Sequence, residues 1–262
     1  MKSTKKFCGM FILAFFLLLS FSIQAQMIDK LLEEGDQYTE EYNNQKALEA
    51  YLKADKLSPN NWQVLWRISR AYVDIGEHMP EKTDEQKDAQ LLIYQKAFDN
   101  ADKSVKLAPE KSITYVRRAI ANGRIALFKG VFSVGGVVNA VKDDCELAIK
   151  LNNGEKYTIA LCHYILARTH AKVSEKWAPA RAVLGLGWAD NEIAIAEFNK
   201  AINLFPSFRM FYLDLANSYI REDEFQKARD MLNKVIDSPK KDEDDDQRLT
   251  EAKNLLEEIK NE

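Results

Sequence analysis

Residues 31–59 read LLEEGDQYTEEYNNQKALEAYLKADKLSP. Leu31, Gly35 and Tyr38 recur at helical spacing and fall on one face. Ala47, Tyr51 and Ala54 fall on one face of a second helix, and Pro59 closes the unit because it cannot continue a helix. The small residues Gly35, Ala47 and Ala54 let the two helices approach closely. Leu31, Tyr38 and Tyr51 fill the space left between them. The stretch therefore predicts a pair of helices joined by a short turn.

The same frame recurs downstream. Its second copy reads Leu65, Ile68, Ser69, Tyr72, then Ala97, Ala101, Ser104, Pro109. The third reads Tyr115, Arg118, Ala119, Asn122, then Val141, Cys145, Ala148, with Asn153 where the proline would stand. The fourth reads Ile159, Cys162, His163, Leu166, then Ala194, Phe198, Ala201, Pro206. The fifth reads Tyr212, Leu215, Ala216, Tyr219, then Ala228, Leu232, Val235, with Pro239. The offsets match the tetratricopeptide repeat, whose period is about 34 residues. The third copy departs furthest, because Arg118 and Asn122 occupy positions that are usually apolar. The expected fold is all-α, an α-solenoid of about five tetratricopeptide-like repeats. Their expected bounds are 28–61, 62–111, 112–155, 156–208 and 209–241, within a repeat domain spanning 26–262. A capping helix is expected over 247–260, where Leu249, Ala252, Leu255, Leu256 and Ile259 share a face. The acidic run Asp242–Asp246 ahead of it lacks the glycine and closing glutamate of a calcium loop. It reads as a negative start to that helix.

The N-terminus reads as an export signal of residues 1–25. Lys2, Lys5 and Lys6 form a basic head, Met10–Leu19 is apolar, and Ile23-Gln24-Ala25 offers a small residue for cleavage. A periplasmic or secreted bacterial protein is the expectation. The formal net charge of −3 includes those three lysines, so no nucleic-acid partner is expected. In an oxidising compartment Cys145 and Cys162 have two readings. One is a disulfide between neighbouring helices, the other two small buried apolar residues.

Two inserts, 128–138 (FKGVFSVGGVV) and 176–190 (KWAPARAVLGLGWAD), are apolar. Phe128, Phe132, Trp177, Leu186 and Trp188 either pack onto the solenoid or form a lid or docking surface. Gly130, Gly135 and Gly136 are not a phosphate loop, since no strand precedes them and no Lys-Ser/Thr follows. No catalytic set of side chains stands out. His163 and His170 are seven residues apart and face one way, which is too few ligands for a convincing metal site. No cofactor and no metal are expected.

In such a solenoid the first helix of each repeat lines a concave surface. Helical phase turns Asp36 and Glu40 inward, then Trp66, Arg70 and Asp74, then Val116, Ile120 and Arg124. It does the same for Tyr157, Tyr164 and Arg168, and for Leu213, Asn217 and Arg221. Arg124, Arg168 and Arg221 share one phase, a row suited to carboxylates, with Trp66, Tyr157 and Tyr164 as apolar anchors. The other reading pairs these arginines with helix-end carbonyls and neighbouring acids. Leu32 and Asp36 stand where carboxylate-clamp repeats carry lysine and asparagine, so a C-terminal EEVD ligand is not expected.

Beyond the general repeat, the chain resembles the regulator of microtubule dynamics family. The resembling segments are Leu65–Ala71, Lys87 with Leu91, Leu92, Tyr94 and Ala97, the lengthened third and fourth copies with Trp177, and Phe198, Ala201, Pro206 and Phe208. Pro239, the acidic run and Ala252, Leu255 and Leu256 complete it. The resemblance implies an all-helical repeat domain acting through protein contacts without catalysis. Microtubule binding is not carried over, because the chain reads as exported and has no basic tail for acidic tubulin surfaces. The expected function is a non-catalytic protein-protein interaction module outside the cytoplasm. It would hold an extended peptide or a partner helix in its groove. A membrane-tethered adaptor using an uncleaved N-terminus and the apolar inserts is the alternative. A metal-binding or enzymatic protein built around Cys162, His163 and His170 is the remote one. The expected partner is a protein or peptide, with membrane contact only if the N-terminus is retained.

Overall fold

The computed structural model describes residues 24–130 and 135–262. The basic head and apolar run of the expected export signal lie outside the described residues, as does Phe132. Helix α1 covers 24–40, followed by α2 (Asn44–Leu57), α3 (Trp62–Glu77), α4 (Asp84–Leu107), α5 (Ser112–Lys129) and α6 (Gly135–Leu151). Then come α7 (Lys156–Ser174), α8 (Ala178–Val183), α9 (Asn191–Leu204), α10 (Arg209–Arg221), α11 (Phe225–Asp237) and α12 (Asp245–Glu258). No strand occurs among the described residues. The fold is an α-solenoid of tetratricopeptide-like units, formed by the pairs α1/α2, α3/α4, α5/α6, α7/α9 and α10/α11. From α2 onward the repeat helices pack in succession, and the first helices stack as α3 on α5, α5 on α7 and α7 on α10.

The small positions make these close pairs possible. A Cβ on Gly35 would collide with the Tyr51 ring, and one on Gly76 would sit 2.5 Å from Tyr94 Cε1. Both rings are buried, so each glycine admits the aromatic of its partner helix. The turns are specified just as locally. Asn43, Asn61, Thr83 and Asp190 cap α2, α3, α4 and α9 through their side chains, and Thr83 with Gln86 forms a capping box. The prolines ending repeats two and four each give their carbonyl to a tyrosine of the next helix. Tyr115 donates to Pro109 at 2.9 Å and Tyr212 to Pro206 at 3.0 Å.

The third repeat substitutes polar bonds for what the frame lacks. Asn153, in place of proline, accepts from the Ser112 N–H at 2.9 Å and donates to the Glu110 carbonyl. Arg118 is bidentate on Asp144 of α6, at 2.9 and 2.7 Å, and reaches Asp102 of α4 at 2.8 Å. Truncating one partner of such a bridge leaves a buried charge uncompensated, at a cost of about 3–5 kcal/mol. An arginine at this usually apolar position is therefore a three-helix tie.

The acidic run does more than start α12. Asp245 is fully buried, and its Oδ2 accepts from the backbone N–H of Lys241 and Asp242 at 2.8 and 3.0 Å. Arg248 reaches Asp242, Asp244 and Asp245. Arg209 of α10 donates to the Ser238 and Asp245 carbonyls, fixing the loop to the last repeat. The same loop touches the start of the solenoid. Asn44 donates to Glu243 at 3.0 Å, and His78 Nε2 lies 3.1 Å from Asp244. The superhelix thus meets itself across its concave side.

Candidate functional site

The concave face is built from one stripe on each first helix. On α7 it runs Tyr157, Leu161, Tyr164, Arg168, Lys172, a 4-3-4-4 spacing that holds one face inward. On α5 it runs Arg117, Ile120, Arg124, Leu127, and on α3 Arg70, Val73, Asp74, Glu77. Asp242 and Arg248, from the loop and α12, close the near side. Together they surround a cavity of about 210 Å³. A wider, more polar recess of about 510 Å³ adjoins it through Glu77, Arg124, Tyr164 and Arg168, and reaches Asn217.

Most of the cations here have an acidic partner. Arg70 Nε lies 3.5 Å from Asp74, Arg124 pairs with Glu77, and Arg168 Nε lies 3.5 Å from Asp214. The Arg168 Nε is buried and has no hydrogen-bond acceptor. The Tyr164 hydroxyl donates to the same Asp214 carboxylate at 2.7 Å. Burial raises Asp74 and Glu77 above the usual carboxylate range, against the pull of Arg70 on the one and Arg124 on the other. Burial likewise raises both tyrosines, which stay neutral. Arg117 differs from the rest. It is 7% exposed, and among the described residues it has no ion pair and its buried Nε–H donates to no acceptor. Burial and the neighbouring Arg70 guanidinium push its pKa down to about 10.

The sequence-derived candidates separate on this geometry. Arg70, Arg124, Tyr157, Tyr164 and Arg168 come together around the cavity, and Asn217 lines the wider recess. The Tyr157 ring stacks on Phe208 at 5.3 Å, and Tyr164 packs against Phe211 at 4.9 Å, so both are fixed platforms. Trp66 lies beside the cavity, with the Arg67 guanidinium 4.2 Å from its ring and that of Arg117 at 5.4 Å. Arg221 is corrected. It donates to the Ala171 carbonyl at 2.9 Å, to Asn191 at 3.0 Å and to Ser174 at 3.1 Å, tying down the end of α7 outside the groove. Val116 is also corrected, since it is fully buried in the core and Arg117 lines the cavity instead. Asp36 is held by Arg67 and the Tyr51 hydroxyl.

The second insert folds back. Leu186 is fully buried with Val138 and Val173, and the half-buried Trp188 donates to Asn139 at 2.8 Å, so both pack against the solenoid. Trp177 is 73% exposed and Phe128 half-buried. The disulfide reading is corrected as well. Cys145 and Cys162 are free buried thiols, raised by burial, with Cys162 donating to the Thr158 carbonyl at 3.2 Å. His163 and His170 are engaged separately. His163 pairs with Glu197 at 2.6 Å, and His170 accepts from the Asp190 N–H at 3.3 Å. No group of three or more metal-ligating side chains occurs among the described residues, nor any helix long and apolar enough to cross a membrane.

Residues 31–260, nearly the whole described solenoid, match the family described as Regulator of microtubule dynamics protein 1-3. The chain belongs to this family. The Regulator of microtubule dynamics protein 1 of Bos taurus is 25% identical over 239 residues, covering 87% of this chain and 71% of that one. Its Pongo abelii counterpart is 25% identical over 234 residues, covering 87% and 72%. Among solved structures, a thermophilic TPR protein of Thermus thermophilus superposes with a TM-score of 0.62 at 19% identity, covering 87% of this chain and all of that one. PilF of Pseudomonas aeruginosa gives 0.57 at 10% identity, covering 90% and 93%. These two likenesses establish the repeat fold for this family member.

Proposed function

We propose that this chain is a non-catalytic protein-interaction scaffold whose concave groove holds an extended segment of a partner. The observation that carries this reading is the convergence of Arg70, Arg124 and Arg168 with Tyr157 and Tyr164 on one concave surface. A partner's carboxylates would bind these arginine forks in competition with Asp74, Glu77 and Asp214, and the immobile rings offer apolar seats. The side chains that could do chemistry are engaged elsewhere. His163 is paired with Glu197, and the two thiols are buried and protonated. The basic head and apolar run of residues 1–25 support a location outside the cytoplasm. Cell fractionation with N-terminal sequencing checks that part: recovery of the protein in the cytoplasmic fraction would contradict it, and an exported chain starting at Met1 would favour the membrane-tethered alternative.

Selection from a displayed library of random peptides on the purified chain tests the groove. The selected peptides are expected to be enriched in acidic residues. They should lose at least tenfold in affinity, about 1.4 kcal/mol, on the Arg124→Glu/Arg168→Glu variant. Circular dichroism of the variant separates lost binding from lost fold. Peptides that bind the folded variant as they bind the parent would remove the groove from the account.

A further inference from the structure

Four arginines on the cavity wall stand against acids: Arg70 with Asp74, Arg124 with Glu77, Arg168 with Asp214 and Arg248 with Asp242. Lys172 pairs with Glu175 at 3.1 Å. Arg117 is the fifth arginine and has no such partner among the described residues. Its guanidinium lies 5.4 Å from the Trp66 ring centroid, and the only carboxylate acting on it, Asp74, already faces Arg70. Burying a cation without a counter-charge opposes folding, and an aromatic face offsets only part of that. The cavity wall therefore carries one guanidinium without an ion-pair partner of its own, among the described residues. The same cavity has apolar wall positions in Val73, Ile120, Leu161 and Ile165, beside the charged Arg70 and Asp74 and the Tyr157 hydroxyl. The volume of about 210 Å³ is below the roughly 300–1,000 Å³ of pockets that enclose drug-sized ligands. It suits one compact group.

We propose that this cavity is a receptor for a single carboxylate carrying a compact apolar group, anchored by Arg117 and seated against Val73, Ile120, Leu161 and Ile165. The inference rests on reading the concave groove as a binding surface. A monoanion cancels the one unmatched charge, and the guanidinium fork fits a carboxylate in two parallel bonds. A phosphate would bring nearly two charges toward a wall that also holds Asp74, Glu77 and Asp242. Two sources present this chemistry: the last residue of a partner peptide and a free small carboxylic acid.

Calorimetric titration of the purified chain with N-acetylleucine, N-acetylphenylalanine and their amides tests the anchor. An octapeptide ending in leucine is added in free-acid and amidated forms. The acids are expected to bind, with the amides at least about thirtyfold weaker, as for loss of a buried charge pair. Arg117→Gln should erase the difference between acid and amide while leaving Tm unchanged or raised, because it removes an uncompensated buried cation. An octapeptide acid that outbinds N-acetylleucine identifies a partner's C-terminus as the source, and equal affinities identify a free acid; both uphold the anchor. Acid and amide binding alike, no binding of either, or a lowered Tm in Arg117→Gln would overturn it. The acid–amide comparison on the parent chain needs no variant to fold. Failure here, with displayed peptides still sensitive to Arg124 and Arg168, removes the anchor and keeps the groove.

Discussion

At the scale of single residues, the close helix pairs hang on glycines facing tyrosines. Gly76 sits where any Cβ meets Tyr94, a ring only 5% exposed and tied through its hydroxyl to Gln90. Gly76→Ala gains helix propensity of about 1 kcal/mol, but overpacking against a ring that cannot move costs about 1–3 kcal/mol. We expect a net loss, seen as a lower urea midpoint at unchanged m-value. A midpoint at or above the parent's would mean that the ring yields. Such positions are legible because their spacing recurs: Gly35 with Tyr51 repeats as Gly76 with Tyr94. Arg117 is not legible in the same way. Helical phase turns Val116 inward, and a phase error of one residue exchanges a core valine for the groove's unmatched cation. The adjacent pair Arg117-Arg118, set between Tyr115-Val116 and Ala119-Ile120-Ala121, is the available signal. Only the structure shows that Arg118 bridges α4 and α6 while Arg117 lines the cavity.

At the scale of elements, the cap helix and its acidic loop carry the stronger prediction. Five consecutive acids look equivalent in sequence, yet Asp245 is fully buried and Asp246 exposed. Asp245→Ala leaves two backbone N–H groups and one side of Arg248 without an acceptor. It should cost about 2–4 kcal/mol in chemical denaturation. Asp246→Asn should leave the midpoint unchanged, because its pair with Lys240 lies on the surface. Equal effects of the two substitutions would contradict the cap's architecture. The helix dipole accounts for acids at the start of α12 but is silent on the loop's contacts. Asn44 lies 199 positions from Glu243 and His78 lies 166 from Asp244, and no local pattern reports so distant an encounter. The same limit applies to the second insert. Its composition announces an apolar segment, while burial of Leu186 and exposure of Trp177 depend on where α6 and α7 lie.

At the scale of the molecule, five helix pairs bring their first helices round to a common concave side, and the loop before α12 meets the first two repeats across it. The solenoid is readable from periodic small residues and prolines. Its closure is not, and closure is what turns a shallow groove into a walled cavity bordered by α3, α5, α6, α7, α10 and α12. On this reading the concave side receives the partner. Hydrogen–deuterium exchange of the full chain, with and without an acidic peptide from the display selection, tests it most directly. Slowed exchange is expected on the cavity-lining α3, α5, α7 and α10, the first turns of α6 and the start of α12. Slowed exchange on the outer helices α4 and α9, or on residues 176–190 alone, would contradict that reading.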